Sequence, residues 1–117
     1  MSFYSLVSPS ITRNPILIRG FFYSGGDANM LENGYTPLEQ VFLLFDFDVN
    51  FSFEAIKIIL EFGGNPNIYG KQPPLISAVQ FLDNDNVDKK MIYDIVNLFL
   101  SKNADPNVSW KGRTETK

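Results

Sequence analysis

The chain has 117 residues, 10 basic against 13 acidic, a net charge of −3, and neither histidine nor cysteine. That length and its 44% hydrophobic content predict one soluble domain with a core of its own. The missing side chains exclude zinc fingers, Ser-His and Cys-His nucleophiles, disulfides and His or Cys haem ligands. The acidic balance argues against a nucleic-acid partner, which calls for a basic face.

At the N-terminus, Pro9, Arg13, Pro15 and Arg19 interrupt every apolar stretch. The longest apolar run, Val41-Phe42-Leu43-Leu44-Phe45, ends at Asp46. That is short of the roughly 7–15 residues of a signal peptide and the about 20 of a membrane span. An intracellular location without a membrane partner is expected. Residues 101–117 carry four basic and two acidic side chains, which reads as a solvated, mildly basic tail.

One block occurs three times: Gly25-Gly26-Asp27-Ala28-Asn29, Gly63-Gly64-Asn65-Pro66-Asn67 and Asn103-Ala104-Asp105-Pro106-Asn107. Its closing Asn residues are 38 and then 40 positions apart. The residues ahead of it fall into columns: Ile18, Ile56 and Val96; Phe21, Ile59 and Phe99; Phe22, Leu60 and Leu100. Those columns are spaced i, i+3, i+4, one face of a helix that stops at Gly or Asn. A second block starts a helix. Gly34-Tyr35-Thr36-Pro37-Leu38 places a hydroxyl cap before a Pro in the first helical turn. Gly70-Lys71-Gln72-Pro73-Pro74-Leu75 is its shorter copy, and Gly112-Arg113-Thr114-Glu115 opens a third.

These blocks resemble ankyrin repeats, whose pattern opens with Gly-x-Thr-Pro-Leu-His-x-Ala and closes with Leu-Leu-x-x-Gly-Ala-Asp-x-Asn. The resemblance implies an all-α solenoid of stacked helix pairs with short turns between repeats. It divides the chain into an N-terminal segment (1–14) and an array over 15–114. The array comprises a partial repeat (15–33), repeats at 34–69 and 70–111, and a stub at 112–117. Glu39 and Ile76 stand in the helix-start His column, and Val41 in the Ala column that Ala78 keeps. The unit of 38–40 exceeds the usual length of about 33. The additional residues fall between the two helices of each pair, around Asp46–Asn50 and Asp83–Asp88. Stretched units rich in Phe, Ile and Asn are similar to the ankyrin proteins of poxviruses.

What the resemblance implies about function is a non-catalytic protein–protein interaction module that modulates a host protein in the host cytoplasm. The F-box-like segment of long relatives has no counterpart here, so ubiquitin-ligase recruitment is not carried over. The alternative is a truncated gene remnant with little activity of its own, motivated by a stub that stops as a fourth unit begins. So few units predict apolar edges at Phe21, Phe22, Ile95 and Phe99, and with them marginal stability or self-association through exposed repeat ends.

Candidate partner-binding residues lie on the turns between repeats: Asn33, Tyr35, Tyr69, Lys71, Trp110 and Lys111, aromatic anchors mixed with cations. Trp110 has a second reading, as a cover for the open end of the stack. Other chemistry fails on spacing. Gly64 and Gly70-Lys71-Gln72 miss the phosphate-binding loop by one residue and a hydroxyl. Asp83, Asp85 and Asp94 fit three positions of a calcium loop, but Val87 and Asp88 occupy the next ligand and glycine places. In the frame of Asp46, Asp48 and Asn50, Lys57 replaces the bidentate carboxylate. Asp46 and Asp48 lie too close on one loop to be driven to different pKa values. No cofactor, metal or enzymatic activity is expected.

Overall fold

Helix starts in this chain are written in side-chain oxygens and prolines. The computed structural model describes residues 2–8 and 13–107, and six α-helices fall within them. They are α1 (Tyr4–Val7), α2 (Pro15–Tyr23), α3 (Pro37–Leu43), α4 (Val49–Glu61), α5 (Pro74–Gln80) and α6 (Lys89–Ser101). Asn14 accepts from the Ile16 N–H at 2.9 Å, Asp48 from Phe51 at 3.1 Å and Asp88 from Lys90 at 2.9 Å. Each satisfies a first-turn donor that the helix itself leaves free. Thr36 goes further: it caps Glu39, and the Glu39 carboxylate accepts the Thr36 N–H in return.

The three long second helices stop in one way. Gly25, Gly63 and Asn103 take φ of 109°, 96° and 70°, the left-handed region that glycine enters freely and asparagine tolerates. The next N–H then turns back to the helix, from Gly26 to the Phe21 carbonyl, Gly64 to Ile59 and Ala104 to Phe99. Short 3₁₀ turns at Phe45–Phe47 and Phe81–Asp83 occupy the stretched connections after α3 and α5.

The chain is all-α among the described residues; the one strand-like pairing there is an isolated bridge between Glu32 and Tyr35. Helix α3 packs against α4 and α5 packs against α6, while α1, α3 and α5 adjoin in sequence, as do α2, α4 and α6. Ile18, Ile56, Ile59, Ile92, Ile95 and Phe99 are fully buried between the rows. An aromatic cluster closes the far side, with Phe42 stacked at 5.5 Å on Phe45 and edge-on at 6.1 Å to Phe99.

One feature adds to the sequence reading and one differs from it. The N-terminal segment set apart at 1–14 contributes α1, whose Leu6 and Val7, with Phe3 beside them, are buried. The expected apolar edges at Phe22, Ile95 and Phe99 are corrected: all three are buried, and Phe21 is half-buried. Phe3 lies edge-on to Phe21 at 5.8 Å and Phe62 stacks on Phe22 at 5.4 Å, which accounts for the cover at that end. Exposure falls instead on Ile16, Leu17 and Tyr23 in α2 and on Tyr93 and Leu100 in α6.

Candidate functional site

Two successive turns build a groove-bordering surface between α3 and α5. In the first, Asn33 and Gly34 hold φ of 55° and 87°. Glu32 and Tyr35 exchange backbone hydrogen bonds across them at 2.8 and 3.1 Å. Two consecutive positive φ values make this a type I′ turn, for which Asn-Gly is the favoured pair. Asn33 therefore shapes the turn and leaves its side chain exposed at the tip.

The second turn is held against the first by a carboxylate. Glu39 is only 4% exposed, and its two oxygens accept the N–H groups of Gly70, Lys71 and Gln72 at 2.7, 2.7 and 3.0 Å. With Thr36 it serves four backbone donors. Desolvation pushes its pKa up, but the four backbone hydrogen bonds outweigh that and leave it below the usual carboxylate value. Gly70 sits directly on the Gly34 carbonyl, so closely that a Cβ at residue 70 would overlap it. Thr36-x-x-Glu39 carries the local spacing of a capping box, but the other three partners of Glu39 lie 31–33 residues away, beyond any local signal.

This clamp brings Tyr35 and Lys71 together. The Lys71 ammonium stands 5.9 Å from the Tyr35 ring centroid, and both line an open groove of about 340 Å³ between α3 and α5. Phe42 and Phe81, 6.3 Å apart and stacked, belong to the same groove together with Leu43 and Gln80. Those four were not among the candidates. Phe42 reads as pure core from its helix spacing, and the other three fall at helix ends or in the stretched connections, where no column identifies them. Tyr69 faces a separate cavity of about 340 Å³ with Pro66, Pro73 and Leu75. Trp110 and Lys111 lie outside the described residues.

The exposed side chains of the two turns correspond. Met30 and Leu31 follow Asn29, Ile68 and Tyr69 follow Asn67, and all four are exposed. The acidic residues weighed for calcium have structural work instead: Asp48 caps α4 and accepts Arg13 at 3.2 Å, and Asp94 accepts Lys90 at 3.2 Å. Asp46, Asp83 and Asp85 are exposed. Among the described residues no cluster of three acidic side chains could hold a metal ion. No helix of the described chain is long and apolar enough to cross a membrane.

Compared with models of known protein families, with curated proteins and with solved structures, the chain matches none.

Proposed function

We propose that the chain is an ankyrin-type array of helix pairs that works as a non-catalytic protein-binding module. The observation that carries this reading is the paired display of Met30, Leu31, Ile68 and Tyr69 on successive turns, beside a groove floored by Phe42 and Phe81. Contiguous exposed apolar and aromatic groups beside a few polar anchors are the composition of a protein contact surface. The buried acid in the groove wall, Glu39, spends its lone pairs on backbone N–H groups and has none free for proton transfer to a substrate.

By its sequence resemblance to poxvirus ankyrin proteins, the module would engage a host protein in the host cytoplasm and modulate it. The test is affinity capture from host-cell extract with three chains, quantified by mass spectrometry. One is native, one carries Tyr35→Ala, Leu43→Asp and Lys71→Glu, and one carries Tyr93→Ala on the exposed side of α6. A protein held by the native and Tyr93→Ala chains and released by the groove variant, with unchanged circular dichroism, supports the reading. Equal capture by all three folded chains sinks it.

A further inference from the structure

We infer that the two ends of this helix stack are complementary halves of one junction, and that a second copy of the chain docks head to tail on the first. The argument starts from a ladder of asparagines. The Asn29 carboxamide donates to the Gly63 carbonyl at 3.2 Å and accepts the Asn65 N–H at 2.7 Å. One block later, Asn67 donates to the Asn103 carbonyl at 2.8 Å and accepts the Asp105 N–H at 2.9 Å. Two junctions thus use one pattern on equivalent atoms. Asn107 is the third member, and its carboxamide has no partner among the described residues. The matching acceptor and donor in the first block are the Gly25 carbonyl and the Asp27 N–H, which are also without partners there. One end carries the unused hook and the other the unused eye.

The apolar faces at the two ends agree with this. Leu60 and Leu100 share a column, yet Leu60 is 4% exposed and Leu100 40%, because α6 packs on α4 and no described helix packs beyond α6. At the other end Leu17 is 46% exposed while its counterpart Ala55 is fully buried. Ile16, Leu17, Gly20 and Phe21 border an open apolar hollow of about 750 Å³ between α1 and α2. Stacking a second copy in the internal register sets its α2 on the first copy's α6, as α4 sits on α2. In that register Asn97 meets Tyr23 where Arg19 and Glu61 pair internally at 2.9 Å, so no like charges are opposed at that position. Ile76 stands in the Glu39 column, so the carboxylate clamp is missing from the new junction and it is weaker than the internal ones. Because the two surfaces differ, the contact is heterologous and cannot close as a two-fold dimer.

Sedimentation of the full chain over a wide concentration range tests this with two blocked forms. The head-blocked form carries Ile16→Asp and Leu17→Asp; the tail-blocked form carries Leu100→Asp and Asn107→Ala. All four substitutions fall on exposed side chains, and circular dichroism checks that both forms fold. The native chain is expected to rise past the dimer mass without a plateau. Each blocked form alone stays monomeric, and an equimolar mixture forms a dimer and stops there. The single change Asn107→Ala weakens native association about fivefold, the equivalent of two exposed hydrogen bonds. A native chain that is monomeric throughout overturns the proposal and leaves the α6 face to residues 108–117 or to another protein. Self-association of either blocked form alone, or a mixture without heterodimer, overturns it as well.

Discussion

Replacing Glu39 by Gln tests the clamp with almost no change of shape. One carboxylate oxygen serves Thr36 and Gly70, the other Lys71 and Gln72. An amide keeps one oxygen and turns an NH₂ toward the other pair of donors, whichever way it is flipped. Two charge-assisted hydrogen bonds are lost, at the lower figure of about 1.5 kcal/mol each because Gly70 and Lys71 face water. The two that remain become neutral and weaken by roughly 0.5 kcal/mol apiece. The expected loss is about 4 kcal/mol, a large part of the roughly 5–15 kcal/mol that holds a small domain together. For a chain of this size that lowers Tm by about 15 °C in a circular dichroism melt at neutral pH. A Glu39→Gln chain melting within a few degrees of the native one would refute the reasoning, since the four bonds would then contribute nothing net.

The same group sets a pH dependence. Its folded pKa lies below the unfolded carboxylate value of about 4.3, so its contribution is complete above that value. Stability is lost as pH falls toward the folded pKa, and Glu39→Gln flattens this acid limb in urea titrations; an unchanged limb contradicts the assignment. Asn29→Ala and Asn67→Ala each remove two exposed hydrogen bonds between successive turns and are expected to cost about 1 kcal/mol. Chemical denaturation should show both, with Asn107→Ala near zero in the monomer. Gly70→Ala drives a methyl group into the Gly34 backbone and is expected to destabilise by about 2 kcal/mol or more. Gly20→Ala, in open space within α2, raises stability by roughly 0.5–1 kcal/mol; equal melting of these two glycine variants would be the contrary result.

The second helices and their stops were legible because each rests on a local rule. Columns at i, i+3, i+4 mark the buried face of α2, α4 and α6, and Gly or Asn ends each one in the left-handed region. Thr36-Pro37 announced α3 equally well. Helix α1 was not legible: four residues are too few for a period, and the burial of Leu6 and Val7 comes from packing against α3. Columns also mark which residues face inward but not which are covered. Phe22 and Phe99 therefore read as exposed edges until their aromatic neighbours are placed. Within the site, Tyr35 and Lys71 followed from the turn blocks, whereas Leu43, Gln80 and Phe81 lie where the units are stretched and the repeat offers no alignment.

The direction of the hydrogen bonds between successive turns has an evolutionary consequence. Asn29, Asn67 and Glu39 reach forward with a side chain, and each is met by backbone atoms of the following segment. The receiving segment has to present its main chain in the right place; apart from glycine at Gly70 and glycine or asparagine at Gly63 and Asn103, the side chains it carries there matter little. Each turn thus specifies its successor by one or two residues, and the successor remains at liberty to drift. A copied segment would join the array as soon as it folded, without any co-ordinated change in its neighbour, and could then diverge in the very side chains it displays to a partner.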